Sequence, residues 1–219
     1  MADAAGARKR ARPGGHELRP EVVAHHQRQR ILAGAAAVFA ERGYRQVTVA
    51  DIVKSAAVAR ARFYENFASK EACFFALYDS ATEAALAATE SGCEDQQGEF
   101  PDRVGAGLEA LLANLEADPG LARSWIVEGP AVGAAIDERF ERLIGDFAAL
   151  LRRGRAGAGA TELPDSVEET VVGGLYWLLY YALLEGRPKR IGKLLPQLTE
   201  FALIPFAGTE TARNAAASS

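Results

Sequence analysis

The chain has 219 residues, of which 49% are hydrophobic and 25% charged, a balance that supports a packed core and excludes a wholly disordered chain. Its longest charge-free stretch, Thr170 to Leu184, falls short of the roughly 20 apolar residues that span a bilayer, and no apolar run follows the basic N-terminus as a secretory signal requires. The net charge of −4 conceals an asymmetry: residues 1–72 carry 13 Lys and Arg against 7 Asp and Glu, while residues 73–219 carry 12 against 22, so a small cationic third suited to a polyanion precedes an acidic remainder that resists non-specific adhesion.

Residues 1–19 mix Ala, Gly, Pro and Arg without periodicity and read as a disordered basic tail. Arg8, Lys9, Arg10 and Arg12 serve there either as a solubilising charge cluster or as an arm for a minor groove. From Pro20 the pattern is helical, with Ile31, Leu32, Ala35, Ala36 and Phe39 at three- and four-residue spacing, and Gly43 supplies a left-handed stop. Thr48 to Asp51 is a helix-start signal for a short helix that ends near Ser55. A second short helix follows over Arg60 to Glu65, and Ser69 opens a third with Glu71 in its first turn. Further helical segments are expected near 69–91, 102–117, 119–128, 131–154, 165–186 and 189–206, separated by Gly, Pro and Asp clusters. Gly154 to Ala160 reads as a flexible connector, and without a preceding strand it is no phosphate-cradling loop. No strand-period segment of useful length appears, so the chain reads as all-α.

Two short helices joined by a tight turn and braced by a longer one form a helix-turn-helix. The second must enter a major groove about 12 Å wide, so its outer face needs small and hydrogen-bonding side chains. Ala59 and Ala61 let the backbone approach the groove floor, while Arg60 and Arg62 offer forked donors for guanine or phosphate. Phe63 turns inward, and Phe39 and Phe67 join it in the core. Tyr64, Asn66 and Lys70 follow as phosphate ligands. Thr48 caps its helix with a hydroxyl that can still reach phosphate. Tyr44 has two readings, phosphate ligand or packing beneath the motif.

The segment from Arg30 to Phe74 resembles the DNA-binding domain of the TetR family of transcriptional regulators. The likeness rests on Ile31-Leu32, Ala36, Phe39, Gly43-Tyr44, Thr48, Ile52, Val58, Phe63-Tyr64, Phe67 and Ser69-Lys70-Glu71, a combination far more specific than a generic helix-turn-helix. The resemblance implies a cytoplasmic dimer with an N-terminal three-helix DNA reader and a helical C-terminal domain that binds an inducer. The chain departs from the family in the turn, where Ala56-Ala57-Val58-Ala59 stands for the usual Ala-Gly-Val-Ser. Losing the glycine strains a residue that needs positive φ, and losing the serine removes an N-cap.

The expected organisation is a tail over 1–19, a helix-turn-helix domain over 20–72, a ligand-binding and dimerisation domain over 73–208 and a flexible tail over 209–219. Val171 to Leu184 is apolar on nearly every face and must be buried all round, one side against a second subunit. Gly173 and Gly174 point to close helix approach. The last helix adds Leu194, Leu195, Leu198, Phe201, Ala202 and Ile204, with Pro196 at its start or at a kink. The resemblance implies that these last two helices pair with their symmetry mates. Of the aromatics Trp125, Phe140, Phe147, Tyr176, Trp177, Tyr180 and Tyr181, four, Trp125, Phe147, Tyr176 and Tyr180, are candidates to line a cavity for an unidentified small-molecule effector.

Enzyme readings lack support. His16, His25 and His26 all lie upstream of Gln27, leaving no histidine in the acidic part for acid–base or nucleophilic work. The two cysteines, Cys73 and Cys93, show neither Cys-x-x-Cys nor histidine spacing for zinc, and are too few for a disulfide framework, as in a reduced compartment. No catalytic residue, cofactor or metal is expected. The sequence therefore points to a DNA-binding transcriptional regulator, a repressor that binds a palindromic operator as a homodimer and is released by an effector. The competing reading is a small-molecule binding protein with a degenerate DNA reader.

Overall fold

A computed structural model describes residues 20–156, 163–164, 166–185 and 188–218. The basic tail with its Arg8–Arg12 cluster and most of the 154–160 connector lie outside the described residues. The described residues are helical throughout, without a strand.

Helix α1 (Pro20–Arg42) buries Ile31, Leu32, Ala35, Ala36, Val38 and Phe39 in its C-terminal half. It stops at Gly43, whose φ of 78° is free of cost only without a Cβ. The Thr48 hydroxyl and Asp51 carboxylate form a capping box that starts α2 (Val49–Ser55). Helix α3 (Arg60–Asn66) is anchored by fully buried Phe63. The Ser69 hydroxyl accepts a hydrogen bond from Ala72 N–H at 3.0 Å to open α4 (Lys70–Asp95). At 26 residues, α4 is about 39 Å long, long enough to run beneath the reader and on into the acidic part.

The remaining helices are α5 (Phe100–Ala117), α6 (Pro119–Ile126), α7 (Asp137–Arg155), α8 (Val167–Leu184) and α9 (Leu195–Ser218). Asp118 caps α6, its carboxylate accepting from Leu121 N–H at 2.9 Å with Pro119 at the first position. One continuous hydrophobic cluster runs from Ile31 and Phe63 through Phe74, Leu77 and Trp125 to Leu198 and Ala202. The reader is thus welded to the acidic part through α1, α4 and α6.

Three boundaries differ from the sequence expectation. Helix α7 begins at Asp137 and not at 131, because Pro130 and Gly133 (φ 86°) break residues 129–136 into two short 3-10 turns. Another 3-10 stretch, Pro188–Leu194, leads into α9, so Pro196 falls in its first turn. Residues 209–218 are helical and not a flexible tail: the chain breaks at Gly208 (φ 77°) and doubles back. Arg213 Nε consequently reaches Glu200 Oε1 at 3.1 Å, where thirteen residues of straight helix would put them about 20 Å apart. Ala212 and Ala216 are buried, and Ala212 packs with Phe100 and Leu203.

Candidate nucleic-acid interface and internal cavity

The turn between α2 and α3 is held from behind by α1. Arg30 Nη2 donates to the carbonyls of Ala56 (3.0 Å) and Ala57 (3.1 Å), oxygens that the end of α2 leaves without helical partners. Gly34 makes this approach possible, since a Cβ there would meet Ala56 at 2.7 Å. Ala57 has a φ of 51°, alone among the described non-glycine residues in being positive, a conformation that costs an L-residue about 1–2 kcal/mol. Ala59 stands at the N-cap of α3 without a side-chain hydrogen bond. Both effects expected of the Ala57 and Ala59 departures are therefore present.

The outer face of α3 presents Arg60, Ala61, Arg62 and Tyr64 to solvent, with Phe63 turned into the core. Arg60 Nη2 donates to Tyr64 Oη at 3.3 Å, and Arg62 Nη1 pairs with Glu65 at 2.7 Å. Both contacts are exposed, where ion pairs are worth little, so these arginines are free to exchange them for another anion. Thr48 is also exposed, its hydroxyl donating to Asp51 Oδ2 at 2.6 Å. Arg42 bonds the other oxygen of Asp51 at 2.6 Å. These contacts hold the Asp51 carboxyl down to about 2, the Thr48 hydroxyl bond being the largest cause.

Two of the expected phosphate ligands have internal contacts. Asn66 Nδ2 donates back to Arg62 O at 2.8 Å. Lys70 Nζ donates to the carbonyls of Tyr44 (2.8 Å) and Val47 (2.9 Å) and lies 4.2 Å from the Tyr44 ring centre. Burial lowers the pKa of Lys70. A phosphate at Lys70 therefore competes with three contacts that brace the loop between α1 and α2.

Tyr44 is the joint between the reader and the acidic part. Its ring packs between Phe39 (5.6 Å) and Phe74 (5.0 Å), which favours the packing reading of this residue. Its N–H donates to Glu128 Oε2 at 2.8 Å while its carbonyl receives Lys70. Glu128, just past α6, is 8% exposed and lies 3.9 Å from Arg123. Arg123 in turn donates to Ala40 O (3.0 Å) and Leu183 O (3.2 Å), and Ser124 Oγ donates to Ala36 O at 2.8 Å. Helix α6 thus grips the C-terminal end of α1 through polar contacts.

The other side of α6 faces a partly open cavity of about 440 Å3 lined by α4 to α9. Trp125, Phe147 and Tyr176 line it; Tyr180 does not, and packs instead edge-on to Trp177 (5.2 Å) and Tyr181 (5.5 Å). The polar ends of two lining aromatics are spent on the protein. Trp125 Nε1 donates to Thr82 Oγ1 at 2.9 Å, and Tyr176 Oη donates to Ile126 O at 2.7 Å. Phe140 packs edge-on against Tyr176 at 4.9 Å and stands behind the wall.

Comparison with known proteins agrees with this layout. Residues 31–77 match the family of bacterial regulatory proteins, tetR family. The HTH-type transcriptional repressor Rv1474c of Mycobacterium tuberculosis is 32% identical over 133 residues, covering 56% of this chain and 71% of the relative. The chain belongs to the TetR family. The HTH-type transcriptional repressor AcnR of Corynebacterium glutamicum is 28% identical over 175 residues, covering 67% of this chain and 93% of its own. Two solved structures share the fold. FadR of Bacillus halodurans, a fatty acid degradation regulator, superposes with a TM-score of 0.72 at 19% identity over 81% of this chain and 94% of its own. FadR of Bacillus subtilis, solved in complex with stearoyl-CoA, gives 0.69 at 18% identity over 82% and 98%.

This TetR-family chain carries a second apolar feature on its outside. Trp177 and Tyr181 of α8 (54% and 58% exposed) and Phe201 and Ile204 of α9 line an open groove. Gly174 lets the Phe201 ring lie against the α8 backbone, whereas Gly173 faces open space. The sequence reading missed Arg30, Gly34, Arg123 and Glu128. Gly34 alone carried a local signal, a glycine inside an otherwise strong helix. Among the described residues no helix is long and apolar enough to cross a membrane, and no cluster of three or more His, Cys, Asp or Glu is placed to hold a metal.

Proposed function

We propose that this TetR-family regulator is a cytoplasmic repressor. Two copies associate through α8 and α9, their α3 helices read the two halves of a palindromic operator, and a small molecule entering the cavity releases the DNA. The observation that carries this reading is the position of α6. One side supplies Trp125 and Ile126 to the cavity, and its other contacts hold α1 and Tyr44 beside the reader. A ligand that displaces Tyr176 or Trp125 moves the acceptor at Ile126 and with it the Arg123–Glu128 grip on the reader. It acts only to the extent that it binds the released state more tightly. Two relatives that are transcriptional repressors, and a protein of the same fold solved in complex with stearoyl-CoA, support the same assignment.

Arg60 and Arg62 serve base edges or phosphate, Thr48, Tyr64 and Asn66 serve phosphate, and Lys70 serves chiefly by fixing the loop that carries Val47 and Thr48. The test is a gel-shift titration with the DNA upstream of the chain's own gene. Specific binding that falls steeply with salt is expected, because each neutralised phosphate releases counterions. The strained Ala57 and uncapped Ala59 favour one other reading, a ligand-binding protein whose reader has decayed. Binding to that DNA no tighter than to an unrelated sequence at every salt concentration would decide for it.

A further inference from the structure

The cavity is elongated and polarised. Its α5 wall runs from Phe100 to Leu111 and its α7 wall from Leu143 to Gly154, each about 16 Å of helix. Arg103 Nη2 donates to Gly154 O at 3.0 Å, and the Phe100 ring also lies beside Gly154, so the start of α5 and the end of α7 meet at one end of the cavity. Leu111 and Leu143 lie about 12–16 Å further along their helices, and α6, which supplies Trp125 and Ile126, packs against α5. Between the ends the wall is almost wholly aliphatic or aromatic, with Leu108, Phe147, Leu150, Val172 and Leu175 among it.

Arg103 shares the polar end of the cavity with Glu90, Glu94, Gln96 and Arg153, and it has donors to spare. Its Nε is shielded from solvent and has no acceptor, and among the described residues no carboxylate pairs with it. The two acids near it are otherwise placed: Glu90 is bonded to Arg153 at 2.8 Å, and Glu94 is exposed. A guanidinium has five donors in a rigid fork that matches a carboxylate. Burying a donor of this kind without a protein acceptor is costly, so the cavity favours a ligand whose acceptor fits it.

We infer that the ligand of this cavity is a medium-chain aliphatic carboxylate, with its head on Arg103 and its tail running between α5 and α7 to Trp125 and Tyr176. This rests on the reading of the cavity as the effector site and adds to it the ligand's class and direction. The charged head lies far from the reader, and the end of the tail meets the Tyr176–Ile126 contact. Chain length, rather than head group, then determines whether α6 moves.

The test is isothermal titration of the full chain with dodecanoate, dodecanol, dodecyltrimethylammonium and dodecanoyl-CoA below their micelle or solubility limits, using wild type, Arg103→Gln and Arg103→Lys. Dodecanoate is expected to bind wild type about 10- to 100-fold more tightly than dodecanol, the usual weight of a charged hydrogen bond in a buried site. R103Q is expected to bring dodecanoate to the level that dodecanol shows in the same variant, with dodecanol still bound, which shows that the cavity persists. R103K is expected to fall between. Equal affinity for the acid and the alcohol, preference for the cation or for dodecanoyl-CoA, no binding at all, or full dodecanoate affinity in R103Q overturns the assignment. Arg103-dependent binding that leaves operator affinity untouched upholds the ligand class and removes the effector reading.

Discussion

At the scale of single residues, the reader carries two defects side by side. The left-handed conformation of Ala57 costs about 1–2 kcal/mol, whereas a glycine there would give back about 0.4–1 kcal/mol through the greater freedom of the unfolded chain. The strain is the larger effect, so Ala57→Gly is expected to stabilise the protein by about 0.5–1 kcal/mol. Ala59→Ser restores a hydroxyl at the N-cap of α3 and is expected to add about 1 kcal/mol. Urea midpoints with unchanged slopes measure both, and a lower midpoint for Ala57→Gly would show that the turn needs its Cβ. The neighbouring capping box has a pH signature. The folded Asp51 carboxyl titrates at about 2 against an ordinary value of 3.8, so its contribution is complete above the ordinary value and is lost as pH falls through the folded one. Asp51→Asn lacks this contribution at every pH. The difference in melting temperature between wild type and D51N is therefore expected to shrink between pH 4 and pH 2, with a gap that stays constant counting against the bond.

At the scale of elements, α6 is short, and its value lies in what it joins. Glu128→Ala leaves the half-buried Tyr44 N–H without its acceptor, at a cost of about 1–3 kcal/mol. Glu128→Gln keeps an oxygen for that N–H and loses only the 3.9 Å pairing with Arg123. Thermal melts are expected to rank wild type and E128Q close together with E128A well below, and equal losses in the two variants would put the Arg123 pairing first. Which elements could be read from the sequence follows from how local their causes are. The Thr48–Asp51 box, the Gly43 stop and the Phe63 anchor lie within a turn or two of the helix they define, and they were legible. Arg30 and Glu128 act on partners 26 and 84 residues away, and no local pattern records that. The helix over 209–218 escaped because its buried face is made of Ala212 and Ala216, residues too small to form an apolar stripe. Tyr180 was placed in the cavity because it follows Tyr176 by one turn. In fact α8 has two stripes: Val172, Leu175, Tyr176 and Leu179 face the cavity, and Gly174, Trp177, Leu178 and Tyr181 face the outer groove. Tyr180 sits between them, and an apolar run with no polar face gives no phase by which to separate the two.

At the scale of the whole molecule, the outer groove and the reader answer the same need. A seven-residue recognition helix makes few base contacts, and in the proposed dimer operator affinity comes from holding two such helices at a fixed spacing. Tyr181 (58% exposed) and Ile204 (42% exposed) present apolar surface to water in the single chain, and a second copy placed on that surface removes it from water. Because both side chains are exposed in the single chain, Tyr181→Asp and Ile204→Asp are expected to retain helical content by circular dichroism while converting the proposed dimer to a monomer in light scattering. Charges brought face to face across a two-fold axis are costly, since each substitution appears twice. Operator affinity should then fall far more than for the loss of one arginine on α3, which removes about 1–3 kcal/mol at a single base position, because separating the copies removes an entire half-site. If both variants remain dimeric and bind DNA as before, the subunits meet elsewhere and the α8–α9 groove serves another partner; if they become monomers that still bind tightly, one reader suffices and the palindrome is unnecessary.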